Sequence, residues 1–146
     1  MAKYGLQTSF LNEILIRYFG NGSPNIDINE LYVGLGVTQT GADINMETFN
    51  ELFDGKPLCN YQRARIIFNT PENGVISNGD EICFNTASED WTTATSKIEM
   101  LGVFRSADFD DREPIVVISL PKPETVSKGE TILLAKGVVQ LSLTDI

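Results

Sequence analysis

Apolar residues near the N-terminus recur at the spacing of an α-helix. In residues 9–19 (SFLNEILIRYF) they fall on one stripe of a helix with 3.6 residues per turn. The stripe comprises Phe10, Leu11, Ile14, Leu15, Tyr18 and Phe19. Thr8 or Ser9 can cap the first turn, and Gly20 is a typical C-terminal stop. The pattern predicts one helix that buries this stripe against the domain or against a neighbouring subunit.

Beyond residue 30 the pattern changes to short apolar or alternating runs, separated by turn sequences such as PENG and SNGD. In one run, Ile82 and Phe84 fall on one face of a strand and Glu81 and Cys83 on the other. The runs are LYVGLGV (31–37), YQRARIIF (61–68), DEICFNT (80–86), TTATSKIEMLGVF (92–104), PIVVISLP (114–121), KGETILLA (128–135) and GVVQLSLT (137–144). We therefore predict seven or eight strands in a mainly β chain, forming an antiparallel β-sandwich or jelly-roll-like domain after one N-terminal helix.

Two places in this pattern are less regular. Gly34 and Gly36 interrupt the first run, which indicates a bulge or a close backbone approach. Residues 46–53 (METFNELF) could form a short helix with one apolar side, formed by Met46, Phe49, Leu52 and Phe53. The last run extends nearly to Ile146, so we expect the C-terminal residues to pair into a sheet.

The length of 146 residues is that of one ordinary domain. We predict a single globular unit, with an N-terminal arm and helix in residues 1–30 and the β-sandwich in residues 31–146. No apolar run is long enough to span a membrane, and residues 1–10 lack the apolar core of a secretory signal. We expect synthesis in a cytoplasm.

Charge and composition exclude several classes of function. The net charge is −9, from 20 acidic and 11 basic residues. This balance argues against groove binding to nucleic acid and against an anionic membrane surface. The chain contains no histidine, which removes the usual Ser–His–Asp and Cys–His mechanisms and most transition-metal sites. No phosphate-binding glycine motif occurs. We expect no enzymatic activity, no catalytic, cofactor-binding or metal-binding residues, and no cofactor.

The segment FNTASEDW (84–91) is one candidate site, because Glu89 and Asp90 directly precede the only tryptophan, Trp91. The two carboxylates could act as a general acid–base pair. Neighbouring residues on a strand point to opposite faces, however, which works against that pairing. The favoured interpretation is a strand that ends near Thr86, a turn, and a tryptophan that starts the next strand and plugs the core.

A second candidate is the acidic segment with Asp108, Asp110 and Asp111. Three carboxylates so close could hold Ca²⁺. The segment lacks the glycine and the distal glutamate of an EF-hand loop, and Arg105 and Arg112 flank it. A solvated loop is favoured.

A third candidate is the set Tyr61, Arg63 and Arg65, which alternation places on one side of a strand. Arginine between aromatic residues can stack on nucleic-acid bases. The acidic composition favours arginines that pair with carboxylates, within the chain or between subunits. Cys59 and Cys83 are interpreted as two reduced, partly buried thiols, although the sequence leaves a disulfide open.

Motifs in these runs resemble a family of small virion structural proteins of tailed bacteriophages, which includes decoration and tail-fibre-like proteins. The resemblance covers residues 31–143. It is carried by Leu31-Tyr32-Val33-Gly34-Leu35, Tyr61-Gln62-Arg63, Ile76-Ser77-Asn78 ahead of Ile82 and Phe84, Thr86-Ala87 with Asp90-Trp91, Leu101-Gly102-Val103-Phe104, Pro121-Lys122-Pro123, Val126 with Lys128-Gly129-Glu130-Thr131, and Leu141-Ser142-Leu143. The chain departs from the family in a longer segment between Gly36 and Tyr61 and in its acidic loop.

The resemblance implies a compact β-sandwich that assembles on the virion, often as a homotrimer, with no catalytic residues. It leads us to expect a capsid decoration (cement) protein that binds the major capsid protein and stabilises the shell. A tail or fibre component, including one that binds the host surface, is the alternative. A carbohydrate-active enzyme with a carboxylate pair is a third hypothesis from a different class. The sequence leaves open the position on the virion and the oligomeric state.

Overall fold

The computed structural model describes residues 4–6, 30–37, 49–52 and 60–142. These residues are mainly β, and every strand pairing among them is antiparallel. The strands are β1 (Tyr4–Leu6), β2 (Leu31–Val37), β3 (Asn50–Glu51), β4 (Ala64–Ile66), β5 (Val75–Ser77), β6 (Ile82–Cys83), β7 (Ile98–Phe104), β8 (Val116–Glu124), β9 (Leu133–Leu134) and β10 (Gln140–Ser142). The predicted fold class, a mainly β chain with antiparallel sheets, is confirmed.

The main sheet has the order β1-β8-β7-β2-β3, and β4 also pairs with β2. Its central strands are apolar on both faces, as expected for strands with both faces covered. Val33 and Leu35 of β2 belong to the main core, whereas Met100 and Phe104 of β7 point to the opposite face, and all four are buried. The predicted bulge is present, since the β2–β7 register shifts between Gly36 and Val37.

A second layer consists of two small sheets, β5 with β10 and β6 with β9. One apolar cluster joins this layer to the main sheet, with Val33 and Val103 from the main sheet and Ile82 and Val139 from the second layer. The result is a sandwich-like arrangement. The predicted face assignment in β6 is confirmed, because Ile82 is buried and Cys83 is exposed.

Asn78 connects the two small sheets. Its side chain is fully buried and donates to the carbonyl oxygens of Asp80 and Ala135, at 2.8 and 3.0 Å. Its Oδ1 accepts a hydrogen bond from Val139 N at 2.9 Å. A buried amide with all these bonds made holds backbone segments in one geometry, because leaving any of them unpaired is unfavourable.

Two predicted helices have different outcomes. The helix over residues 9–19 lies outside the described residues, as do residues 143–146. The helix predicted over residues 46–53 is wrong where the structure describes it, because Asn50–Glu51 is strand β3. Pairing of this segment with the end of β2 overrides its local helical pattern. Among the described residues, no helix is long and apolar enough to cross a membrane.

Candidate functional site: a buried arginine network

The polar centre of the molecule lies beside the middle of β2. The first half of β2 pairs with β4 and its last two residues pair with β3, on the same edge. Leu35 lies between these two partners. Its backbone N–H donates to Tyr61 Oη at 2.9 Å. A tyrosine side chain thus accepts the ladder hydrogen bond that neither neighbouring strand takes, which satisfies a buried backbone donor.

The Tyr61 hydroxyl also contacts a buried carboxylate. Its hydroxyl donates to Glu51 Oε2 at 2.8 Å. Burial raises the pKa of Tyr61 well above its ordinary value, and the nearby negative charge of Glu51 adds to the rise. The phenol therefore stays protonated, which it must be to donate to Glu51.

Arg63 uses all five of its N–H groups inside the protein. Its Nε donates to Glu51 Oε2 at 2.9 Å and one Nη2 hydrogen goes to Glu51 Oε1 at 2.8 Å, which makes a bidentate pair. The remaining three go to the backbone carbonyls of Ser106, Asp108 and Asp111, at 2.9, 2.8 and 2.7 Å. The Arg63 side chain is 0% exposed. Such complete pairing is what makes a buried guanidinium tolerable.

Aromatic rings enclose the guanidinium. Its central carbon lies 3.6 Å from the ring centroid of Phe104 and 5.3 Å from that of Phe109. These contacts have cation–π geometry and keep water away from the ion pair. Phe109 also packs on Tyr61, with the ring centroids 5.7 Å apart.

Gly34 provides the space for this network. A Cβ at this position would lie 2.5 Å from Glu51 Oε2 and 2.9 Å from the Phe104 ring. The close approach that the sequence predicted from the strand glycines is therefore real, and what approaches is a carboxylate and a ring. Gly36 and Gly102 make room for the ring of Phe49 in the same way.

The arrangement ties four segments together: the middle of β2, residues 49–52, residues 60–66 and the loop over residues 105–111. The carboxylate of Glu51 accepts three hydrogen bonds and the guanidinium donates five. Polar groups that are committed to one another in this way fix loop positions. The geometry supports a structural role: the network holds the edge of the main sheet to the loop over residues 105–111.

The predicted set Tyr61, Arg63 and Arg65 is divided by the structure. Tyr61 and Arg63 are buried together, but Arg65 is exposed. Alternation changes parity where strand β4 begins, at Ala64, because Ala64 and Ile66 take the inward positions. The expectation that arginine pairs with a carboxylate is confirmed for Arg63, and its partner lies within the chain.

In the acidic segment that was weighed as a calcium candidate, the backbone carbonyls of Asp108 and Asp111 accept hydrogen bonds from Arg63. The side chain of Asp108 accepts the backbone N–H of Asp110 at 2.9 Å, as in a typical Asx turn. Within the part of the chain that the structure describes, no group of three or more acidic or cysteine side chains has the arrangement of a metal site. The Arg63 guanidinium pairs with carbonyl oxygens of this loop, which are one of the ligand types that a hard cation uses.

The segment FNTASEDW is a turn around a buried ring. Asp90 accepts the backbone N–H of Lys128 at 2.8 Å, while Glu89 is exposed. Trp91 is buried, as predicted, and its ring meets that of Tyr61 edge to face at 5.5 Å. The predicted strand limits are wrong: β6 ends at Cys83, and the next strand begins only at Ile98. The core-plug role of Trp91 does not require a strand, because its backbone N–H donates to the carbonyl oxygen of Val126 at 2.9 Å.

Cys83 is a free thiol and is exposed rather than partly buried. Cys59 lies outside the described residues.

Two important residues escaped the sequence interpretation. Glu51 was hidden in a segment with a helical pattern, and Asn78 entered only as part of a turn and of a resemblance motif, without its buried structural role. A sequence signal did exist for the first, since Gly34 indicated that some group approaches β2 closely.

The chain matches no protein-family model, and no curated protein matches it at a significant level. Function is therefore inferred from the residues, their geometry and the motif resemblance.

Proposed function

We propose that the chain is a structural protein of a tailed-phage virion and that it decorates the capsid shell. The observation that carries the proposal is the ordered series of motifs described above. Neither the β architecture nor the arginine network identifies a function alone, because one fold serves many roles.

The motif residues form the central strands, the core and the turns of this fold. This supports a resemblance that extends over the whole fold. Leu31–Val37 and Ile98–Phe104 are the two central strands of the main sheet. Asn78 joins the two small sheets, and Val126 is buried. Gly129 has φ = 87°, a left-handed conformation that glycine adopts without strain. Because these residues are structural, the resemblance to the phage family is one of fold and not of a single binding motif.

A decoration protein has to keep its shape while it adds contact area across a seam between shell subunits. The Arg63 network suits this role because it fixes a loop and three other segments without any covalent link. An acidic surface with a net charge of −9 also suits a partner that presents basic groups at such seams.

The test is the copy number of the chain on purified virions, measured by quantitative mass spectrometry against the major shell protein. A copy number of the same order as that of the shell protein is expected. A copy number near that of the portal or the tail tube would contradict shell decoration and would favour the tail or fibre alternative. Absence from the purified particle would reject both.

A further inference from the structure

We infer that Asn73 is a site of spontaneous deamidation and that the fold blocks the same reaction at Asn78. Both asparagines directly precede a glycine, in the turn sequences PENG and SNGD. The inference goes beyond the virion proposal and does not depend on it, because it concerns a chemical modification of the chain itself.

The reaction joins the asparagine side chain to the backbone of the next residue. The backbone nitrogen of that residue loses its proton to base and attacks Cγ of the asparagine. A C–N bond forms, the bond to the side-chain amide nitrogen breaks, and ammonia leaves. Water then opens the resulting cyclic imide at either of its carbonyl carbons, which gives aspartate or isoaspartate. A following glycine favours the attack, because it has no side chain to obstruct its nitrogen and allows the widest range of backbone angles.

Asn73 and Gly74 are the central residues of a hairpin turn. The backbones of Glu72 and Val75 exchange two hydrogen bonds of 2.9 Å around them. The φ angles of Asn73 and Gly74 are 52° and 77°. Positive φ at both central positions is what a type I′ turn requires, and Asn-Gly is a preferred sequence for it. The dipeptide that suits this turn is therefore also one that cyclises readily.

The reacting atoms of Asn73 and Gly74 are unrestrained. Both residues are exposed. Within the described part of the chain, neither the side-chain amide of Asn73 nor the N–H of Gly74 has a hydrogen-bond partner. A Cβ added at Gly74 would meet no atom within 4 Å. The amide can therefore turn toward the Gly74 nitrogen without losing a hydrogen bond.

At Asn78 the corresponding atoms are held in place. The residue is fully buried, and its side chain makes three hydrogen bonds to backbone groups. The nitrogen that would attack is also engaged, because the N–H of Gly79 donates to the carbonyl oxygen of Ile67 at 2.7 Å. Cyclisation would break these three bonds and the Gly79 bond. Asn78 can therefore react only when this part of the fold opens.

The experiment compares the two sites within one molecule. The full folded chain is incubated at mildly alkaline pH in water enriched in heavy oxygen, digested in ordinary water, and mapped by peptide mass spectrometry. Heavy oxygen in a product marks deamidation that occurred in the folded protein and not during digestion. Asn73 should be lost at least about tenfold faster than Asn78, with both isoaspartate and aspartate as products.

The chain unfolded in guanidinium chloride is the matched control. Asn73 and Asn78 should then react at similar rates, because the hydrogen bonds that protect Asn78 are absent and each asparagine still precedes a glycine. A difference that persists in the unfolded chain would overturn the inference, since the neighbouring sequence and not the fold would be its cause.

Two results in the folded chain would also overturn the inference. The first is equal loss at the two sites, or slower loss at Asn73 than at Asn78. The second is aspartate as the only product at Asn73, because direct hydrolysis of the side-chain amide forms no cyclic imide and no isoaspartate.

Discussion

Two groups of tyrosine, glutamate and arginine lie near the edge of the same sheet, one of them exposed and the other buried. In the exposed triad, Tyr32 Oη donates to Glu30 Oε2 at 2.6 Å. Arg65 is the cross-strand partner of Tyr32 in the β2–β4 pairing. Water reaches this triad, so each polar group can replace a lost partner with solvent.

In the buried triad, Tyr61 Oη donates to Glu51 Oε2 at 2.8 Å, and Arg63 binds both oxygens of the same carboxylate. Water cannot substitute for a lost partner here. The comparison shows that the same residue types form a solvent-exposed contact in one place and a contact that holds the fold together in the other. The contribution of each contact to the free energy of unfolding depends on desolvation and not on the length of the hydrogen bond.

The two tyrosines also respond differently to their surroundings. The pKa of Tyr32 is raised first by its hydrogen bond to Glu30, with a smaller effect of burial. The pKa of Tyr61 is raised first by burial and then by the charge of Glu51. A local hydrogen bond is the main cause of the raised pKa of Tyr32, whereas the loss of solvent is the main cause for Tyr61.

The strongest way to break the comparison is to remove each arginine. Arg63→Met leaves the Glu51 carboxylate and three loop carbonyls buried without their donor, so the free energy of unfolding should fall by about 3–5 kcal/mol. Arg65→Met is the matched control and should change stability little, because Arg65 is exposed. Urea unfolding monitored by tryptophan fluorescence measures both. Equal effects of the two variants would show that burial of the Arg63 network contributes nothing special.

The tyrosine hydroxyls give a smaller and sharper comparison. Tyr61→Phe removes the acceptor of the Leu35 N–H and one donor to Glu51, and should cost about 2–3 kcal/mol. Tyr32→Phe removes an exposed contact and should leave the unfolding midpoint unchanged. The two differences are measured by the same urea titrations. A large loss in the Tyr32 variant would contradict the solvent-replacement explanation.

A third variant tests the space beneath the buried triad. Gly34→Ala adds a methyl group against Glu51 Oε2 and Phe104 and should destabilise the fold by about 1–3 kcal/mol. Gly79→Ala is the control, because its nearest contact would be an ordinary 3.6 Å from the Asn69 Cβ. Thermal unfolding followed by circular dichroism compares them. If Gly34→Ala is tolerated as well as the control, then the buried carboxylate can move.

The smallest predicted effect is in the alkaline pH dependence. An unfolded chain loses the Tyr61 proton near its ordinary pKa of 10.0, whereas the folded chain keeps it to higher pH. Above that pH the unfolded state therefore binds fewer protons, and the free energy of unfolding falls as pH rises. The stabilisation is complete below pH 10.0 and is lost above it. Tyr61→Phe should remove more of this alkaline slope than Tyr32→Phe does, as measured by unfolding at a series of pH values.

Much of the fold could be predicted from local pattern. The runs of β2, β7 and β8 are apolar enough to specify buried strands, and the strand glycines indicated a bulge or a close backbone approach. Alternation assigned the faces of β6. These features depend on residues within a few positions of one another, which is the range over which periodicity is informative.

The sequence by itself therefore determined that the chain is a mainly β protein with an acidic surface and no histidine chemistry. Only the tertiary structure decided which arginine is buried and which carboxylate it meets. Glu51 lies in a segment whose own pattern favours a helix, and it becomes a strand because β2 offers an open edge. The carbonyls that complete the Arg63 pairing come from residues more than forty positions away. Such partners are fixed by the packing of distant segments and by the unfavourable free energy of burying an unpaired charge, neither of which is visible in local periodicity.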